Sequence, residues 1–258
     1  MFDDIVAQYQ ENVVAPYVEY RELSRDAVAG RSRDLRAALA AASSLFHFRE
    51  HLPAAQQPTR AAAEQACSSY GLLGDVVNAA KHATLHQKTP HGPPLVEIAE
   101  NIFEQLSTVE YEDDEGSYTQ TYKAVIAKLT NGTEANLLEA LTDVLNYWEK
   151  HLHACGLLTE AREFKCETSI PYRARAECRD LAFEVVRGQR FQQRMQFFKF
   201  DRVAGKATPV DLTQYADIQF TIRRPRYVVD IAGRNKSTGE VHTKSVTLTA
   251  DESETWSN

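Results

Sequence analysis

Residues Tyr70–His86 read YGLLGDVVNAAKHATLH, and the spacing of this stretch predicts a helix with two separable faces. Successive helical residues turn by about 100°, so Asp75, Asn78, His82 and His86 fall within one arc of roughly 80°. Leu72, Leu73, Val76, Val77, Ala79, Ala80 and Ala83 fill the arc beside it. A polar face can be no more than the wet side of a helix. Asp and Asn, however, are poor interior helix residues, and a wet face is more simply filled with Glu, Lys and Gln. A carboxylate, an amide and two imidazoles in register therefore read as side chains that are used.

Upstream, residues 2–29 read as helix, with Phe2, Ile5, Val6, Tyr9 and Val13 at helical spacing, Pro16 interrupting and Gly30 ending it. A second helix runs from Ser32 to about Leu52. Its apolar arc collects Leu35, Ala38, Leu39, Ala42, Leu45, Phe46 and Leu52, while His47, Glu50 and His51 point away. Arg49 falls inside that arc, and a buried charge needs a partner. Asp75 of the next helix is the expected one. The loop LPAAQQPT then precedes the helix from about Arg60 that carries the central stretch, and HQKTPHGPP at 86–94 stops it.

Downstream, VEYEDDEGSYTQTYKAVIAKLTNGT alternates aromatic or β-branched residues with polar ones around Asp114–Gly116. This predicts a hairpin over about 106–130, closed by Asn131-Gly132. Glu134–Ala154 reads as a helix with Leu137, Leu138, Leu141, Val144, Leu145 and Trp148 on one face. From Lys165 to Ala250 the character changes to short runs such as LAFEVV, FFKF, DIQFTI, RYVVDIAG and VHTKSVTLT between turn signals. The expected fold class is α+β: a helical domain over 1–155 with an inserted hairpin, a basic antiparallel sandwich or barrel over 165–250, and a polar tail at 251–258.

The net charge of −7 conceals an asymmetry. Residues 171–250 hold 15 Lys+Arg against 8 Asp+Glu, so the remainder carries −14. Either the basic part docks on the acidic part, within one chain or in a dimer, or it meets phosphate. Its Phe191, Phe197, Phe198, Phe200, Tyr215 and Tyr227 can stack bases or form a core.

No apolar run approaches the roughly 20 residues of a membrane span, and MFDDIVAQYQ lacks the order of a signal peptide, so a cytoplasmic protein without membrane contact is expected. Cys67, Cys155, Cys166 and Cys178 lack CxxC spacing and read as reduced thiols. His151, His153 and Cys155 with Cys166 are zinc-ligand types, but alternate helical residues point about 200° apart. No metal is expected there or at His82, His86 and His91. Neither a phosphate-binding glycine loop, a dinucleotide fingerprint nor a G-x-S-x-G elbow occurs, and no cofactor is expected.

The order FHFRE, then DVVNAAKH, then a two-stranded segment turning at glycine, then Asn-Gly and a helix ending LNYWEKHL is similar to a set of small bacterial proteins with an NAxKH helix, a hairpin and a Trp-bearing helix. More distantly, residues 30–155 resemble the HEPN domains. That resemblance implies an α-helical, usually dimeric protein, in many cases a metal-independent ribonuclease of toxin or defence systems. Its signature is an Arg, then a polar residue that is often Asn, then a His. Asn78 and His82 match the Asn-to-His spacing, whereas Val77 stands where the family's Arg should be. In RNA cleavage by this chemistry His82 is the proton acceptor, Asn78 a positioning amide, Lys81 or Arg49 the cation, and Asp75 the group that orients Arg49. A reading of another class stands beside it: a non-catalytic adaptor that self-associates through its helices and binds a protein or nucleic acid through its basic β part.

Overall fold

The computed structural model describes residues 4–81, 99–184, 193–211, 227–234 and 241–248. The chain divides into two compact units, Met1–Val210 and Asp211–Asn258. The first is α+β.

Asp4 caps helix α1 (Ile5–Tyr9), its carboxylate accepting from Val6 N at 2.9 Å. A wider turn over Gln10–Val14 follows, in which Ala15 N–H reaches back five residues to Gln10 O. It leads into α2 (Ala15–Arg25), with Pro16 in the first turn. Proline has no N–H to give to the preceding turn, and the single wide turn absorbs that loss without breaking the path. Tyr9, Tyr17 and Tyr20 are fully buried along it.

Strand β1 (Val28–Gly30) pairs in parallel with β5 (Ala182–Glu184). Gly30 sits at φ +105, and a Cβ there would stand 2.2 Å from Glu184 O, so only glycine allows this approach. Helix α3 (Arg33–His47) buries Ala38, Ala41, Ala42 and Leu45 and ends at His47. A tighter helical turn, Phe48–His51, takes over. The expected second helix is thus shorter than its apolar spacing suggests. Helix α4 (Arg60–Ala66) is capped by Thr59, and α5 (Ser68–Lys81) follows after a break at Cys67.

The expected hairpin is present as β2 (Ile102–Asp113) and β3 (Gly116–Lys128), paired antiparallel in unbroken register from Ile102 opposite Ala127 to Asp113 opposite Gly116. A short strand β4 (Glu134–Asn136) precedes α6 (Leu137–Ala154), which the sequence reading begins three residues earlier. The α6 face predicted from spacing is the buried one: Leu137, Leu141, Val144, Leu145 and Trp148 are fully buried. Trp148 Nε1 donates to Leu45 O of α3 at 2.9 Å. Helices α2, α3, α5 and α6 with the base of the hairpin enclose the larger core.

One expectation is displaced. Strands β6 (Arg194–Asp201) and β7 (Lys206–Pro209) lie in the same sheet as the hairpin, in the order β4-β3-β2-β6-β7, with β6 parallel to β2. The fold therefore divides after Val210, not between 155 and 165. The physical reason is that β2 has a second edge, whose unpaired N–H and C=O groups β6 satisfies. In the second unit, β8 (Tyr227–Arg234) and β9 (Val241–Leu248) form an antiparallel hairpin. The DIQFTI run and the tail at 251–258 lie outside the described residues.

Candidate functional site

Five residues were expected to act together: Arg49, Asp75, Asn78, Lys81 and His82. His82 and His86 lie outside the described residues. The other four are on α5 and on the turn after α3, and the structure rearranges their pairing.

Asp75 and Arg49 are not partners. Because α3 stops at His47, Arg49 leaves the packing arc that a longer helix would impose, and its Nη1 instead reaches Pro58 O at 3.4 Å. It stands beside Tyr70, whose hydroxyl donates to Phe46 O at 2.7 Å. Asp75 faces a different arginine. It is buried at 7% exposure, and burial pushes its carboxyl up to about 6; the Arg60 guanidinium opposes this and Glu64 adds to it. Arg60 also binds Glu64 Oε1 at 2.6 Å, lies 5.3 Å over the Phe46 ring, and keeps a buried Nη2 with no acceptor among the described residues. Asn78 is half-buried on the same helix. Val77, just before Asn78, is buried.

Lys81, the last described residue of α5, meets an imidazole that the sequence had only turned away from the core. Its Nζ is 3.1 Å from His47 Nε2, and His47 Nδ1 is 3.1 Å from Glu50 Oε1. An ammonium has only protons to give, so Nε2 accepts. The ring then carries its own proton on Nδ1 and donates it to Glu50. The result is a neutral imidazole in one tautomer, fixed by a carboxylate on one side and facing a cation on the other. His47 is about one-third exposed and Glu50 over half, so this end of α3 is open to solvent. Neither Lys81 nor Arg49 has a carboxylate within ion-pair distance among the described residues.

Sequence reasoning missed His47, Glu50, Arg60 and Glu64. The i,i+4 spacing of Arg60 and Glu64 behind the Thr59 cap is a legible pair signal. The His47–Glu50 contact has an i,i+3 signal too, but its approach to Lys81, 34 residues away, has none.

The other clusters are structural. Cys155 Sγ is 3.7 Å from His151 Nε2, but that nitrogen donates to Gln56 O at 2.8 Å and so cannot take the thiol proton. Among the described residues no group of three or more His, Cys, Asp or Glu could hold a metal ion, and no helix is long and apolar enough to cross a membrane. Phe200 is buried with Tyr111 and Tyr118, and Phe198 packs on them, which is the core reading of those aromatics.

Searches against protein-family profiles, curated proteins and solved structures yield no match to this chain.

Proposed function

We propose that the chain cleaves RNA without a metal, by acid–base chemistry where the end of α3 meets Lys81 of α5. The observation that carries this reading is the Glu50–His47–Lys81 arrangement, an oriented neutral imidazole beside a cation that no carboxylate neutralises among the described residues. Cleavage by internal attack needs those two groups: an acceptor for the ribose 2′-hydroxyl proton and a positive charge on the phosphorane that forms. His47 Nε2 takes the 2′ proton once Lys81 Nζ turns to the phosphate. The 2′-oxygen bonds to phosphorus, the bond to the 5′-oxygen breaks, and a protonated imidazole returns a proton to that leaving oxygen. The products are a 2′,3′-cyclic phosphate and a 5′-hydroxyl.

His82 follows Lys81 directly in the chain and is the second imidazole of this scheme; Asn78, four residues earlier in the sequence, is the positioning amide, and Arg49 a second cation. On this reading the helices are HEPN-like. Lys81 or Arg49 supplies the charge that the family takes from an Arg at the position of Val77, and the protein acts in the cytoplasm as a homo-oligomeric toxin or defence effector.

The test is cleavage of an RNA oligonucleotide in EDTA by the full chain and by His47→Ala, Lys81→Ala and His82→Ala. Loss of a general acid–base group lowers the rate by about 10²–10⁴-fold. An inactive wild type, or three variants as active as wild type, overturns the proposal. An inactive wild type whose Asn78→Ala variant melts several degrees lower leaves the adaptor, with the stripe as buried structure.

A further inference from the structure

We propose that Arg60 is a positioning residue for the His47–Lys81 pair, acting through the ring of Phe46; this rests on the acid–base reading above. Phe46 and His47 are the last two residues of α3, and their rings meet edge-on, 5.1 Å between centroids. Phe46 is held on three sides. The Arg60 guanidinium covers its face, Tyr70 OH donates to its carbonyl at 2.7 Å, and the backbone of Gly74 passes close to its edge.

Gly74 shows how close that passage is. A Cβ at position 74 would stand 2.7 Å from Phe46 Cε2, 3.0 Å from Cζ and 3.1 Å from Arg60 Nη2. Glycine is a poor residue inside a helix, and this contact accounts for one in the middle of α5. Seven residues later on that helix comes Lys81, almost the same angle around the axis, since seven steps of about 100° return to within about 20°. Gly74 against Phe46 and Lys81 against His47 are two points of one seam between α5 and α3.

Arg60 is fixed in turn by Glu64 Oε1 at 2.6 Å, so its planar face has one orientation. A cation over an aromatic face is attracted to the ring's negative quadrupole, which makes the guanidinium the lid that keeps Phe46 from turning. With Phe46 set, the last turn of α3 is set, and His47 Nε2 is aimed at Lys81. Arg60 touches neither His47 nor Lys81 in this arrangement; it acts through its neighbour.

The experiment measures RNA cleavage and His47 ring ¹⁵N shifts in the full chain for Arg60→Met, Arg60→Lys and Gly74→Ala. In wild type the shifts report the Nδ1–H tautomer. Arg60→Met is expected to give a mixture of tautomers and to lower kcat about tenfold or more with KM changed less than about twofold, the mark of lost orientation. Arg60→Lys, which keeps the charge and the reach to Glu64, restores part of both. Gly74→Ala moves Phe46 and gives the same tautomer mixture, and it decides the matter alone if Arg60→Met does not fold. Unchanged ring shifts in Arg60→Met, or in Gly74→Ala where that variant stands alone, overturn the proposal. A wild type inactive on RNA overturns the acid–base reading only, because the ring shifts still report whether Arg60 positions His47.

Discussion

At the scale of single residues, the buried charges follow two different rules. Asp75 is nearly buried, and its carboxyl is pushed from 3.8 up to about 6 because burial disfavours the charged form more than Arg60 favours it. A carboxyl raised by folding binds its proton more tightly in the native state, so its contribution is fully present below about pH 4 and is lost as pH rises through 6. The two pKa values correspond to about 3 kcal/mol of destabilisation at pH 8. Asp75→Asn should therefore raise stability at pH 8 by about 1–3 kcal/mol and change it little at pH 4, measured by urea unfolding at the two pH values. Lys123 follows the opposite rule. Its side chain is 3% exposed, and its Nζ lies within hydrogen-bond reach of Leu23 O at 2.5 Å, Val28 O at 2.6 Å, Asp26 Oδ1 at 2.6 Å and Asp34 Oδ1 at 3.0 Å, joining β3 to α2, β1 and α3. Asp34 is itself buried, so Lys123→Met strands a carboxylate and should cost about 3–5 kcal/mol in the same measurement. Lys123 was legible after all: Val125 and Ala127 are fully buried, and strand alternation puts residue 123 on their face. A lysine on an inward face is a signal that hydrophobic counting passes over.

At the scale of elements, spacing found the buried face of α6 and missed the ends of helices; on α5 it set Asp75 on the polar stripe, and the structure buries it. The α6 stripe and the hairpin turn at Asp114–Gly116 were readable because each rests on a strict period or on turn chemistry. The end of α3 was not, since Phe48 and Leu52 continue the apolar content of the chain although they belong to a turn and a loop that fold back over the core. That error alone produced the expected Arg49–Asp75 pair. Ends are set by caps, and α6 has one that can be tested: Asn136 Oδ1 accepts from Leu138 N at 2.9 Å, filling a helix N–H that has no partner within the helix. Asn136→Ala should cost about 1 kcal/mol, seen as a lower urea midpoint with an unchanged slope. A change in slope would mean that β4, where Asn136 pairs with Ile126, had come away as well.

At the scale of the first unit, the charge asymmetry and the chain division are one problem. Three basic residues past 171 pair with acidic residues from earlier in the unit: Arg175 with Asp113 at 2.6 Å, Arg194 with Glu134 at 2.5 Å, and Lys199 with Glu112 at 3.9 Å. Composition read these strands as a separate domain because a sheet joined across 89 residues, as Gln105 is to Arg194, leaves no local mark in sequence. The segment between α6 and β5 is tied in as firmly. Glu149 on α6 is fully buried, and Arg162 grips it with Nη2 at 2.5 Å and with its own backbone N–H at 3.0 Å, while Tyr9 OH donates from α1 at 2.9 Å. That grip holds the Glu149 carboxyl below its ordinary range against the burial that would raise it. A chain cut at residue 155 loses Arg162 and leaves this carboxylate buried without a counter-charge, a loss of about 3–5 kcal/mol. It also loses β6, exposing the β2 edge. Such losses together match a large part of the roughly 5–15 kcal/mol that holds a domain folded. Residues 1–155 alone should therefore give poorly dispersed amide resonances and no cooperative thermal transition, whereas 1–210 should unfold in one step by circular dichroism and fluorescence together. A cooperative, well-dispersed 1–155 fragment would show that the helices and hairpin are a domain in their own right, as the composition of the chain first suggests.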